Sequence, residues 1–415
     1  MGTGRKSIRT GLVAAFLAGV AVAGCSSPPA PSADPASAGS ARDAASAGPV
    51  LEFADSRLAA TADNLAPPNY PVRTNPDGTW KTVEPKDWTS GFLPATLWQV
   101  YARTHDPAWL DRAQRWTAPL EPEKTHDDGD LGFKMYMTFA VQNQLTGDEA
   151  AKQTALAAAD TLAARFVPSV GVMRMWDEKD DPGDVRVNID AMMNMELFYW
   201  AAQNGRPQYA ELANRHADRT LTDIVRPDGS TFQFAAWDQA TGTLKRQYTE
   251  QGAAPDSTWA RGQAWAIYGY ATAYRYTQNP RYLEASHKAA DWFMSHLPPD
   301  HVPYWDFSVP QAPPQPRDSS AGAVAASGML ILNELDPDPA QKSADVDSAR
   351  TLLTGLSSPT YLSRGTPFQS ILLHGTQHQP HRQVDTGIQF GDHYFVEALN
   401  RWERQVGPTA QLTQS

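Results

Sequence analysis

The chain has one cysteine, Cys25, in 415 residues, so no disulfide can form within it. Positive charge is in short supply: 35 Lys and Arg stand against 46 Asp and Glu, a formal net charge of −11. That balance argues against a nucleic-acid partner, whose phosphates need a basic face. A small anionic ligand stays open, because it responds to local charge rather than to the total. No apolar run is long enough to cross a bilayer. The one candidate, Leu12 to Ala23, falls short of the roughly 20 residues that a spanning helix needs. Strand signals are sparse as well: Gly229 to Gly242 followed by Leu244 to Tyr248 reads as one hairpin between helices.

What is present begins with a targeting segment. Arg5, Lys6 and Arg9 precede the apolar run, which ends Val22-Ala23-Gly24-Cys25, similar to a bacterial lipobox. Residues 1–24 are thus expected to be a lipoprotein signal peptide, with lipid on Cys25 as the sole membrane attachment. The expected location is the bacterial cell envelope, on its periplasmic or extracellular face. Removing residues 1–24 takes away three basic and no acidic residues, leaving a net charge of −14. Residues 25–48, rich in Ser, Pro, Ala and Gly, read as a disordered linker.

From about Pro49 the pattern is helical. Similar joints recur at Thr104-His105-Asp106-Pro107, Thr146-Gly147-Asp148, Asn204-Gly205-Arg206-Pro207 and Thr277-Gln278-Asn279-Pro280. Pro at a helix start forfeits no hydrogen bond, so each reads as a turn between antiparallel helices. A hairpin that recurs marks a repeat architecture. Periodicity places about twelve helices, near residues 50–65, 90–104, 107–119, 132–146, 148–166, 189–204, 207–224, 258–277, 280–296, 319–335, 340–356 and 392–405. The first of most pairs is rich in Met, Trp, Tyr and Phe; the second is amphipathic. Inner buried helices ringed by outer amphipathic ones give an all-α fold, an (α/α)6 barrel over residues 49–406, with 407–415 as a C-terminal tail. Long segments at Pro298 to Pro316 and Ser357 to Gly391 are expected loops.

Several stretches bear chemistry. Asp190 opens a segment running to Trp200 that is apolar almost all round, as buried helices are. A carboxyl there is poorly solvated, its pKa rises, and it can serve as a proton donor. Asp is also a common N-cap, and that reading stays open. His126-Asp127-Asp128-Gly129-Asp130 crowds ionisable groups ahead of another buried helix. It fits a solvated loop, a cation site or an active-site Asp130, although its spacing matches neither a Ca²⁺ loop nor a zinc motif. Arg261 and Trp265, four apart, share a helix face; Arg261 could clamp a carboxylate or sit in a core ion pair. Gly262 between them calls for a reason, such as close approach of another group. Trp88 and Trp176, each taken alone, fit core better than stacking platform. Asp318 or Ser319 should cap the next helix, and Gly375 argues against His374 and His378 pairing on a helix.

In order, Asp130-Leu131-Gly132-Phe133, Asn188 to Asn194, Trp259 to Trp265, Pro303 to Phe307, Asp318 to Gly328 and Gly391 to Phe395 resemble glycoside hydrolase family 88, the unsaturated glucuronyl hydrolases. The resemblance covers about Trp88 to Leu399 and implies the same barrel. It implies that Asp190 is the general acid/base and Asp130 the second essential carboxylate. It places Arg261 and Trp265 at the uronate, and Trp88, Trp176, His216 and Gln233 beside the substrate. The implied reaction releases a 4,5-unsaturated uronic acid from the non-reducing end of lyase-generated oligosaccharides by hydrating its C4=C5 enol ether. It requires no metal and no organic cofactor. Two positions depart from the family pattern. Gly129 stands where a His usually precedes the second Asp, and Gln233 stands where the family carries a His. A related activity on unsaturated rhamnogalacturonans, an inverting glycosidase on the same fold, and a glycan-binding lipoprotein without catalysis remain the competing expectations.

Overall fold

The computed structural model describes residues 46–176, 182–407 and 411–412. The chain divides into two units, residues 1–41 and 42–415, and every described residue lies in the second. The expected signal peptide, Cys25 and nearly all of the expected linker therefore fall outside the described residues. No helix among those described is long and apolar enough to cross a membrane.

Among the described residues, six helical hairpins form a ring. The inner helices are α2 (Phe92–Thr104), the broken α4 and α5 (Leu131–Met135 and Val141–Thr146, joined by a π turn, Tyr136–Ala140), α7 (Met195–Gln203), α9 (Ala260–Thr277), α11 (Ser319–Leu335) and α13 (Gln389–Gln405). The outer ones are α3 (Pro107–Thr117), α6 (Glu149–Ala163), α8 (Tyr209–Asp223), α10 (Pro280–Ser295), α12 (Pro339–Leu356) and α1 (Ala47–Asn64). Each inner helix touches the next, and α13 returns to α2 and closes the ring. The sixth hairpin joins the ends of the chain, because α1 packs on α13.

The joints explain the repeat. An inner helix ends on a left-handed residue, His105, Gly147 or Gln278, and Asp106, Asp148 or Asn279 then caps the outer helix by accepting a backbone N–H two residues on. Where the Asp or Asn is missing, after Gly205, the outer helix starts at Tyr209, two residues later than expected. Inner helices are buried on nearly every side along most of their length, except α5, which buries none of its residues. In α9 and α11 small residues let neighbours approach: a Cβ on Gly269 would lie 2.6 Å from Met192 Cβ, and one on Gly328 would lie 3.0 Å from the Tyr268 backbone nitrogen. Outer helices bury one stripe only, as in α8 with Tyr209, Ala213, His216, Ala217 and Thr220.

Strands are minor additions. A ribbon pairs β1 (Tyr70–Thr74) with β2 (Trp80–Val83), and β3 (Phe166–Val167) pairs with β4 (Val172–Met173). The expected hairpin is present as β6 (Phe234–Asp238) and β7 (Leu244–Tyr248). It gains a third strand that periodicity did not suggest, β5 (Asp184–Asn188), paired antiparallel to β6. Two boundaries move. The first helix takes in Ala47 and Gly48, which had been assigned to the linker, and Leu412 of the expected tail is buried in the core.

Candidate active site

A cavity of about 280 Å³ opens where the inner helices begin. Trp88 stands in the turn before α2, Asp130 directly before α4, Asp190 in the 3-10 turn Ile189–Asn194 before α7, Arg261 and Trp265 in the first turns of α9, and Tyr394 in those of α13. All six line the cavity, with Trp176 beside them. Helix N-termini carry partial positive charge, so their convergence favours an anionic ligand.

Asp190 caps nothing. Its turn has no side-chain cap, and Asp190 Oδ1 is buried without a hydrogen-bond partner. The side chain is half-buried, its open face towards the cavity. Burial pushes its pKa up to about 6, against the pull of the Arg261 charge. Asp130 is pushed further, to about 8, by burial and by repulsion from Asp128 and Asp190. The rise expected for Asp190 is present; Asp130 is raised further because Arg261 offsets the burial of Asp190 while Asp130 has acidic neighbours. Repulsion from Asp190 adds to the rise of Asp130, so the site retains a proton close to neutral pH.

The loop carrying Asp130 is tied to the turn carrying Asp190 by one side chain. Asn194 Nδ2 donates to Gly129 O at 3.0 Å, and its Oδ1 accepts from the Phe133 N–H at 3.1 Å. Gly132 permits this, since a Cβ there would fall 2.6 Å from Asn194 Cβ. Gly129 is equally confined: its Cβ would lie 2.4 Å from Met175 O. The acidic run around it is engaged piecewise. His126 pairs with Glu123, Asp127 with Arg165, and Asp128 accepts the Asp130 N–H.

Arg261 is the core ion pair of one of its two readings, and it also lines the cavity. Its Nη1 donates to Asp318 Oδ2 and Thr376 O, each at 2.6 Å, and its Nη2 donates to Gln377 O. Trp259 and Phe390 flank the guanidinium. Nε–H and one Nη2–H are left for a ligand, so Arg261 is a core ion pair with one edge on the cavity. Asp318 also caps α11 by accepting the Ser320 N–H. Gly262 has the close neighbour it called for: a Cβ there would lie 2.9 Å from the Trp259 ring.

Two expected contacts are corrected. His216 lies on the buried stripe of α8, 0% exposed, and does not line the cavity. Its Nδ1 accepts the Met173 N–H at 3.1 Å, and burial lowers its pKa to about 3, so it is a neutral structural side chain behind β4. Gln233 is also buried away from the cavity. Its Oε1 accepts from the N–H groups of Glu250 and Gln251, at 3.0 and 2.7 Å. Gln233 thereby holds the turn that delivers Gln251, which does line the cavity. Asp306 supports the same turn through Ala253 N–H and Ser257 Oγ. Gln251 had been overlooked, as had Asn188, Gln377 and Gln383 on the cavity wall. A Gln in a turn carries no sequence signal of its own; the nearest hint was Gly252, where a Cβ would meet Ser257 Oγ at 2.3 Å.

The surrounding chain is similar to characterised proteins. An unsaturated glucuronyl hydrolase of Formosa agariphila is 40% identical over 356 residues, covering 81% of this chain and 87% of that protein. A solved unsaturated glucuronyl hydrolase specific for heparin superposes with a TM-score of 0.83 at 33% identity, over 89% of this chain and 99% of that one. The unsaturated glucuronyl hydrolase responsible for the degradation of glycosaminoglycan from Bacillus sp. GL1 gives a TM-score of 0.79 at 33% identity, over 87% and 98%. Residues 66–298 match the family model for Glycosyl Hydrolase Family 88. With the ring of six hairpins and two carboxyls at its mouth, these matches establish that the chain belongs to glycoside hydrolase family 88.

Proposed function

We propose that the chain releases 4,5-unsaturated uronate from the non-reducing end of lyase-generated oligosaccharides, by hydration of the C4=C5 bond. The observation that carries this is the meeting of Asp190, Asp130 and Arg261 with Trp88, Trp176 and Trp265 on one cavity. The indoles suit the faces of a sugar ring, and the free edge of Arg261 with the helix N-termini suits its carboxylate. Asp190, protonated, delivers its proton to C4, and the enol-ether electrons leave C5 and the ring oxygen cationic. The ionised Asp190 then takes a proton from water as the water oxygen bonds to C5. The C5 hemiketal opens by breaking its bond to the ring oxygen. The hemiacetal left at C1 collapses to an aldehyde and expels the next sugar. Asp130 holds ring hydroxyls, and the Asp190 carboxylate left by the proton transfer offsets the positive charge developing at C5 and the ring oxygen.

The test follows the ultraviolet absorbance of unsaturated disaccharides prepared with lyases from heparin and from other glycosaminoglycans. Wild type removes the absorbance. Asp190→Asn leaves it in place, a loss of at least roughly 10³-fold, as removal of the proton donor requires. Asp130→Asn retains slow turnover. Retention by Asp190→Asn and full loss in Asp130→Asn would exchange the two roles. We further propose that lipid on Cys25 holds the enzyme at the cell envelope, on the strength of the basic, apolar and Cys-terminated run that precedes it. Cys25→Ser should release the activity from the membrane fraction of the producing cell.

A further inference from the structure

Towards the end of the barrel opposite the cavity, three side chains meet between the fourth and fifth hairpins. His287 lies on α10, Asp336 follows the last residue of α11, and Asp345 lies on α12. Among the described residues, these three offer ligand atoms that all lie within 4.8 Å of one another. We propose that they form a structural site for a divalent cation of the zinc or manganese type, which fastens the two hairpins together.

The argument starts from the imidazole. His287 Nε2 lies 2.5 Å from Asp336 Oδ2, and a carboxylate only accepts, so Nε2 carries the ring proton. Asp336 is itself fixed, its Oδ1 accepting the Asp338 N–H at 2.6 Å. A carboxylate that holds one ring nitrogen and leaves the other free is the usual backing of a metal-bound histidine. Here the other nitrogen, Nδ1, has one long contact from the Gln341 amide at 3.3 Å and faces Asp345 Oδ1 at 3.6 Å. A lone pair and a carboxylate that face each other repel unless something positive stands between them. The Gln341 amide nitrogen, 3.3 Å from Nδ1, supplies only a partial charge.

Asp345 provides the second observation. Its side chain is 4% exposed, and Oδ2 is buried with no hydrogen-bond partner. A buried carboxylate oxygen without a partner is costly, and an ion in the gap would satisfy it. The spacing fits. Two ligands at ~2.1 Å from one tetrahedral ion stand ~3.4 Å apart, close to the separation of Nδ1 and Oδ1. Half a turn of the Gln341 amide would present its oxygen as a third ligand. Asp291 adds negative charge to the same neighbourhood. Imidazole with few oxygens suits zinc or manganese, whereas calcium takes 6–8 oxygens.

The experiment uses the full chain, stripped with chelator and dialysed, then titrated with zinc or manganese chloride by calorimetry and melted with and without ion. Wild type should bind one ion per chain and melt roughly 3–5 °C higher at saturation. Asp345→Asn and His287→Gln should each weaken binding at least tenfold and abolish the ion-dependent shift. Turnover of unsaturated disaccharide should be the same in all three, because the cluster does not line the cavity. If wild type takes up no ion, or if both variants bind as wild type does, the proposal is overturned. A stabilised Asp345→Asn together with an ion-insensitive wild type would identify the cluster as a histidinium bridging two carboxylates.

Discussion

At the scale of single residues, the balance of charge around two carboxyls governs the behaviour of the site. Burial raises both Asp190 and Asp130, and their neighbours separate them, to about 6 and about 8. Asp190 must be protonated to attack C4, so kcat/KM should fall as pH rises through about 6, approaching tenfold per unit. A pH–rate profile on unsaturated disaccharide reads this directly, and a flat profile from pH 5 to 8 would contradict it. Stability follows the same sign. In the unfolded chain these carboxyls ionise near the ordinary aspartate value of 3.8, whereas the folded ones keep their protons to higher pH. Their contribution is therefore complete below about pH 4 and is lost as pH rises through about 6 and about 8. Asp190→Asn, which cannot ionise, should melt above wild type at pH 8, and the gap should close towards pH 4.

At the scale of elements, the site depends on close backbone approaches that glycines allow. Gly129 sits against Met175 just before Trp176, so the loop bearing Asp130 and the strand end bearing Trp176 share one contact. Gly129→Ala would force them apart. It should lower stability by roughly 1–3 kcal/mol, as overpacking does, and turnover should drop with it because Asp130 and Trp176 both move. Denaturant melts and the absorbance assay would show the two losses together; an unchanged Tm would refute the crowding. The same contact explains why a His at this position, usual in the family pattern, has no room here. It also shows what the sequence could and could not disclose. Helices were legible because apolar spacing and Asp-Pro or Asn-Pro joints are local signals. Asp130, Asp190, Arg261, Trp88 and Trp265 were legible because chemically distinctive residues stood at or near the starts of buried helices, and Trp176 through the family resemblance. β5 was not, since it exists only by pairing with β6, about fifty residues on. Gln251 and Asn194 were not, since their roles arise from which loops meet. His216 was misplaced because helical spacing directs it to the buried stripe of an outer helix, which its type does not reveal.

At the scale of the whole molecule, a ring has no redundant hairpin. The sixth is assembled from the two ends of the chain: α1 buries Val50, Leu51, Ala54 and Leu58 and packs on the inner helix α13. Ser46 pairs with Gln411, and Leu412 is buried nearby in sequence to that bridge. Burying Val50, Leu51 and Leu58 contributes roughly 1.5–3 kcal/mol each, together comparable to the ~5–15 kcal/mol that holds a typical domain folded. The family match begins only at residue 66, after α1. A chain starting at residue 66 would thus keep every matched residue and every cavity side chain, yet expose the outer face of α13 and leave the sixth hairpin without its outer helix. Compared with a chain starting at residue 46, it should be insoluble or melt without a cooperative transition, and it should lose turnover even though no cavity residue has been removed. Calorimetry and the absorbance assay on the two chains decide this. If the shorter chain melted cooperatively at the same temperature and kept its rate, α1 would be an appendage and the barrel would close without it.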